Sequence, residues 1–283
     1  MTTTAALGMA PACAAGAGGG ARASASDGLG TGSAAVILPL GESITYGVSW
    51  AGYDLPVPEQ STPGGYRGFL YHDLTQDGVS FSYTGSTEAN PPLARDPADF
   101  RQEGHPGYRI DQLLGGLAHW KALDALQPSV ILLHVGTNDI SQGYDPAASY
   151  PGGYDGANPA ERAEFVSHLV SRLEWLLGDL NGLYPGVRIV LCPIVPMGLT
   201  SPDPTVHAYG QAIRSTVVPW ATGPGLRVDL ADVEAAFLAQ PTYHDLIGPD
   251  GVHPTPIGYR TMAAVIAPAV VQVLSRWPLV TGT

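Results

Sequence analysis

The chain has 283 residues, 45% of them hydrophobic, which is ample apolar material for one large core. It carries a formal net charge of -12, and its 13 Lys and Arg residues make no basic footprint, so nucleic acid is a poor partner. No apolar run approaches the roughly 20 residues that a membrane span requires, and no transmembrane segment is expected.

Residues 1–33 are dominated by Ala, Gly, Ser and Thr and cannot bury a core. Ala21-Arg22-Ala23 and Ala23-Ser24-Ala25 resemble small-residue cleavage sites, although the stretch before them lacks a basic beginning. The reading is a signal peptide without its first residues, followed by a linker, and hence a secreted protein; the alternative is a disordered tail. Cys13 falls in this tail, while Cys192 sits in the apolar run Ile189-Val190-Leu191-Cys192 as a small buried hydrophobe, so no disulfide is expected. Neither Cys-X-X-Cys nor His-Glu-X-X-His occurs, and no metal or cofactor is expected.

After the tail, strand and helix patterns alternate. Val36–Leu40 is the first strand, and Gly41-Glu42-Ser43-Ile44-Thr45-Tyr46-Gly47 follows it directly. Phe81-Ser82-Tyr83 is a shorter strand. Val130–Val135, Val187–Ile194 and Leu226–Leu230 read as strands buried on both faces. Asn158-Pro159-Ala160-Glu161 is a helix start, with a cap, Pro at the first position and Glu at the third. Phe165, Leu169, Leu173, Leu176, Leu177 and Leu180 then mark one helical face. A last helix opens at Thr255-Pro256, and Pro268 should kink it. This alternation predicts one α/β domain over residues 34–283, with a parallel sheet covered by helices on both faces. In such sheets the active crevice lies beyond the carboxyl ends of the strands.

Several polar segments fall at those ends. Ser43, at a strand exit with a helix behind it, is a nucleophile candidate, its N–H belonging to the positive end of that helix. Asp250-Gly251-Val252-His253-Pro254 precedes the last helix, so His253 can serve as base and Asp250 can orient its ring. Gly107, in Gly104-His105-Pro106-Gly107-Tyr108-Arg109-Ile110, offers a backbone N–H without a side chain in the way. Asn138, in Gly136-Thr137-Asn138-Asp139, offers a side-chain N–H; with the Ser43 N–H these make three donors for an oxyanion. Taken singly each has a structural reading: Asp250 caps a turn, Asn138 braces its loop, and His105 and His253 are satisfied structural histidines.

In this order the four segments resemble the four blocks of the SGNH (GDSL-type) hydrolases, over residues 36–275. Glu-Gly-His-Pro-Gly-Tyr-Arg-Ile-Asp-Gln-Leu (103–113) and Gly64-Gly65-Tyr66-Arg67 are further similar to carbohydrate esterase family 3, which includes acetyl xylan esterases. The resemblance implies a flavodoxin-like three-layer α/β/α sandwich with a five-stranded parallel sheet. It implies a Ser43, Asp250, His253 triad and an oxyanion hole from Ser43, Gly107 and Asn138. The implied partner is an acetylated polysaccharide or another ester, with His105, Tyr108 and Tyr144 as candidates for substrate binding.

Two features depart from the family pattern. Glu42 stands where Asp is usual, one methylene longer. The stretch from Ser141 to Asn158, with Tyr144, Tyr150 and Tyr154, is longer than the branch usually carries; it is either a wall of the cleft that stacks on sugars or a mobile surface insertion. Three rival readings remain at this level. Gly47-Val48-Ser49-Trp50-Ala51 is a near miss to a Gly-X-Ser-X-Gly elbow centred on Ser49. A lipase or thioesterase would use the same machinery on longer acyl groups. A carbohydrate-binding protein without catalysis would keep the cleft alone.

Overall fold

Short β-branched and aliphatic runs bounded by turns fold here into strands whose alternate side chains serve two separate cores. The computed structural model describes residues 33–48, 64–88, 101–117, 126–148, 150 and 153–279. Residues 1–32 of the expected tail, and Ser49, lie outside the described residues. Strand β1 is Ala35–Gly41, β2 is Phe81–Tyr83, β3 is Thr87–Glu88, β4 is Arg101–Gly104, β5 is Val130–His134, β6 is Arg188–Cys192 and β7 is Arg227–Leu230. On β1, β5 and β6, Leu38, Leu40, Ile131, Leu133, Ile189 and Leu191 enter one core. Ile37, Val130, Leu132, Val190 and Cys192 enter the other.

The sheet is parallel in the order β4-β1-β5-β6-β7, with β3 antiparallel outside β4 and β2 also paired to β1. The register explains how β2 and β4 share one edge. Ala35, Val36 and Ile37 pair with Phe81, Ser82 and Tyr83, whereas Leu40 and Gly41 pair with Glu103 and Gly104. The expected five-stranded parallel sheet is therefore five positions wide, its first position filled by two short strands end to end. Sequence patterning missed β4, because Arg-Gln-Glu-Gly is polar. Its Gln102 and Glu103 are nonetheless buried, and their side chains accept from the Gly104 and Ser86 N–H groups respectively.

Helices cover both faces. On the first lie α3 (Ile110–Leu117), α5 (Pro159–Leu183) and α6 (Pro204–Ala212); on the second lie α2 (Tyr66–Gln76), α8 (Val233–Leu238) and α9 (Pro256–Arg276). Two four- and five-residue helices, α1 (Ser43–Tyr46) and α4 (Thr137–Ser141), stand at strand exits, and α7 (Val218–Thr222) follows α6 through a π-helical turn. The start of α5 is as its sequence requires: Asn158 accepts from the Ala160 N–H at 3.0 Å, and Glu161 accepts from the Asn158 amide. Thr255 caps α9 by accepting from the Gly258 N–H. That helix runs uninterrupted through Pro268, which has no N–H for the Ala264 carbonyl.

The expectation that no segment is apolar and long enough to span a membrane needs amendment. Among the described residues α9 is such a helix, with a mean hydropathy of 1.5 over its most apolar window. Its Tyr259, Met262, Ala263, Ile266, Val270 and Val273 are packed into the second core, which accounts for that composition. Cys192 is the free cysteine among the described residues; it is buried, and burial pushes its thiol well up.

Helix α5 gives a direct test of this packing. Leu173 is fully buried while its near neighbour Trp175 is 66% exposed. Leu173→Ala should cost about 2–5 kcal/mol, and Trp175→Ala about 0.5 kcal/mol or less, read from urea denaturation midpoints. Equal losses would contradict the assigned helix face.

Candidate active site

The site is set by where three neighbouring strands stop. Gly41 at the end of β1 pairs with Gly104 on one side and His134 on the other, so the loops after β1, β4 and β5 leave the sheet at one level. Gly41 has to be glycine, since a Cβ there would collide with the His134 carbonyl oxygen and the Thr45 hydroxyl. The His105 N–H then donates to the Gly41 carbonyl at 2.9 Å, tying the loop after β4 to the end of β1.

Ser43 begins α1 and is 7% exposed. Its Oγ lies 2.9 Å from His253 Nε2, and His253 Nδ1 lies 2.7 Å from Asp250 Oδ2. The other Asp250 oxygen accepts from the Val252 and His253 N–H groups, both at 3.0 Å. Partial burial pushes the Asp250 carboxyl up, but these N–H groups and the His253 ring outweigh it and hold the group below its ordinary value. The loop is closed on itself by Gly248 N–H to the His253 carbonyl at 2.7 Å and by the Ile247–Pro254 bridge. Residues 210 positions apart thus form one hydrogen-bonded chain, Asp250 to His253 to Ser43.

Two further expected donors sit in the adjoining loops. Gly107 is exposed with φ at +81°, a conformation that glycine adopts freely, and a Cβ there would meet nothing within 4 Å. Its carbonyl accepts from Gln142 Nε2 at 3.1 Å. Asn138 is half-buried, and its Nδ2 donates to the Tyr108 carbonyl at 2.9 Å. An amide carries two N–H groups, so this bond fixes the Asn138 side chain and leaves the second donor for a ligand.

The residues expected to bind substrate are partly engaged with one another. His105 stacks on Tyr108 with ring centroids 5.0 Å apart, and its Nε2 is 3.0 Å from the buried Glu103 carboxylate. Tyr144 is 39% exposed, with the Arg109 guanidinium 3.8 Å over its ring. Arg109 also donates to Asp111 and to Gln142, which joins Tyr144 to the Gly107 loop. The other tyrosines of the long stretch turn inward. Tyr154 stacks on Phe165 at 4.3 Å and hydrogen-bonds Thr205, and Tyr150 reaches Asp145 at 3.3 Å. Tyr154 thereby anchors the stretch to α5 and α6, Tyr150 packs against it, and Tyr144 is the exposed one of the three.

Glu42 stands out as unusual in the sequence, which assigns it no contacts; the structure sets it against Ser43. Glu42 is completely buried, with Oε2 accepting the Ile44 N–H at 2.8 Å and facing Ser43 Oγ at 3.2 Å. Its Oε1 meets His134 Nδ1 at 2.7 Å and the Thr137 hydroxyl at 3.1 Å. Burial pushes this carboxyl up, but the bond and charge of His134, the Ile44 N–H and the Thr137 hydroxyl hold it below its ordinary value, so it is ionised at neutral pH. A histidine closing an otherwise aliphatic strand, Val130-Ile131-Leu132-Leu133-His134, was the signal available. At the other end of α1 the fully buried Arg67 donates to the Thr45 and Tyr46 carbonyls, satisfying acceptors that so short a helix leaves open.

Asp139, beside Asn138, behaves in the opposite sense. Burial pushes its carboxyl up to about 7, against the pull of the Ile110 N–H at 3.1 Å and the Arg172 guanidinium at 3.5 Å. Between the ordinary Asp value and about 7, the folded protein keeps a proton that the unfolded chain has released. This group's contribution to stability therefore falls as pH rises through that window. Asp139→Asn should gain on the wild type by roughly 1–3 kcal/mol between pH 4 and pH 8, measured by urea unfolding. A difference that does not change with pH would contradict the assignment.

Residues 40–261 match the GDSL-like Lipase/Acylhydrolase family. A multidomain esterase of Ruminococcus flavefaciens is 27% identical over 253 residues, which cover 80% of this chain and 27% of that protein; the chain thus spans about a quarter of that relative's length. A family 3 carbohydrate esterase of Clostridium thermocellum superposes with a TM-score of 0.63 at 22% identity, covering 86% of this chain and 98% of that one. An acetylxylan esterase of Geobacillus stearothermophilus superposes with a TM-score of 0.51 at 20% identity, covering 86% and 95%. The fold is that of the SGNH hydrolases, and with the match running through the segments that carry Ser43, Gly107, Asn138, Asp250 and His253, the chain belongs to the GDSL-like lipase/acylhydrolase family.

Proposed function

We propose that the protein is a serine esterase that removes O-acetyl groups from polysaccharide, acetylated xylan first, through an acetyl-enzyme on Ser43. The observation that carries this reading is the continuous chain from Asp250 through His253 to Ser43 at the carboxyl edge of the sheet. The carbohydrate part rests on the family 3 resemblance of residues 103–113 and on the carbohydrate and acetylxylan esterases among the structural neighbours. A polymeric substrate also favours action outside the cell.

In the proposed reaction His253 Nε2 takes the Ser43 proton as Oγ forms a bond to the ester carbonyl carbon. The carbonyl oxygen becomes the oxyanion, met by the Ser43 N–H, the Gly107 N–H and the free Asn138 N–H. Asp250 keeps the His253 proton on Nδ1 and stabilises the imidazolium that forms. When the intermediate collapses, the carbon–oxygen bond to the sugar breaks, and the sugar oxygen takes the proton from His253. Water then gives a proton to His253 and attacks the acetyl carbon; the bond to Ser43 Oγ breaks, Ser43 takes the proton back from His253, and acetic acid leaves and ionises in solvent.

Acetate release from a panel of acetylated polysaccharides, xylan included, tests the substrate reading with Ser43→Ala as the control. Release from acetylated xylan by the wild type and none by Ser43→Ala is expected. A preference for p-nitrophenyl esters of long acyl chains over the acetate would favour the lipase or thioesterase reading instead. Within the site, Asn138→Ala should lower kcat by roughly 10²–10³, and a change under about threefold would remove Asn138 from the oxyanion hole.

A further inference from the structure

Glu42 has no part in the proton transfers just described, yet its position is more constrained than that of any residue that does. A carboxylate offers about four lone-pair sites. Here Oε2 faces the Ile44 N–H and the Ser43 hydroxyl, and Oε1 faces His134 Nδ1 and the Thr137 hydroxyl, so every site faces a group able to donate, the Ser43 proton being shared with His253 Nε2. The donors come from three segments: the nucleophile turn, the end of β5, and the first residue of α4. That last helix also carries Asn138.

We propose that Glu42 is a positioning residue that fixes the Ser43 hydroxyl and the Asn138 amide relative to each other. The inference rests on Ser43 being the nucleophile. The serine proton has two acceptors, His253 Nε2 at 2.9 Å and Glu42 Oε2 at 3.2 Å. The hydroxyl therefore keeps an acceptor when His253 carries the proton, and Oγ has no reason to change rotamer. By taking the Ile44 N–H, Glu42 also leaves the Ser43 N–H as the open donor at the start of α1. Through Oε1 the same carboxylate holds Thr137, and with it the neighbouring Asn138. His253 Nε2, the nearer of the two acceptors, is the base, and Glu42 holds the hydroxyl in place beside it. Its extra methylene over Asp supplies the reach that the span from α1 to β5 and α4 uses.

Glu42→Gln keeps the shape but turns one end of the group into a donor that must face donors. Its kcat should fall about 10–100-fold with KM within about twofold, as expected for loss of geometry rather than of binding. The second readout is inactivation by a fluorophosphonate, a probe of serine nucleophiles, with the label mapped by mass spectrometry. The rate should fall in step with kcat while the number of labelled sites stays at one per chain; loss of folding alone would lower the number of sites and leave the rate per site unchanged. Thr137→Val removes a single donor from Oε1 and covers the case in which Glu42→Gln does not fold; about a threefold to tenfold loss of kcat at constant KM is expected. Unchanged kcat and labelling rate in a folded variant overturn the inference. A label on a residue other than Ser43 overturns the reading of Ser43 as nucleophile, and this inference with it.

Discussion

The site depends on the parallel register of β1 between β4 and β5. Because Gly41 lies level with Gly104 and His134, the three loops that follow start from one plane, and their residues converge without long excursions. The close approach at Gly41 is what permits this, for any side chain there would push β1 away from β5. The apolar alternation of β1, β5 and β6 then locks the register, since a slip by one residue would exchange the two cores. The fourth contribution, Asp250 and His253, arrives from the far end of the chain through a loop fastened to itself, so its geometry is settled before it meets Ser43.

Around this frame the charged groups divide by environment. Asp250 and Glu42 gain enough hydrogen bonds to remain carboxylates, whereas burial dominates at Asp139. The short helix under Ser43 is gripped at both ends, by the Glu42 carboxylate at its start and the buried Arg67 guanidinium at its finish. Burying both charges is costly unless each is fully hydrogen-bonded. The outcome is a Ser43 turn whose position is over-determined, as the proposed reaction, with its fixed donors and fixed oxygen, demands.

Much of this was legible in the sequence, for identifiable reasons. Apolar runs such as Val130–Val135 and the capped start at Asn158 are local signals, and they place the sheet and α5 correctly. The polar segments at strand exits pointed to Ser43, Asp250, His253, Gly107 and Asn138, because the carboxyl edge is where a parallel sheet presents its loops. Strand β4 was not legible, since Gln102 and Glu103 are buried through contacts their residue types do not announce. The partners of Glu42 were not legible either: His134 and Thr137 lie 92 and 95 positions away, and no local pattern encodes that meeting. For Tyr150 and Tyr154 two readings stayed open, because a tyrosine has an apolar ring as well as a hydroxyl; here the rings pack on Phe165 and each other.

The central claim is that the acyl group passes through Ser43. Rapid acid quenching during turnover of an acetyl ester, followed by peptide mapping, measures this most directly. The account predicts an acetylated peptide containing Ser43, absent from the His253→Ala protein under the same quench. Acetyl transfer to another residue, or turnover that persists in Ser43→Ala, would contradict it.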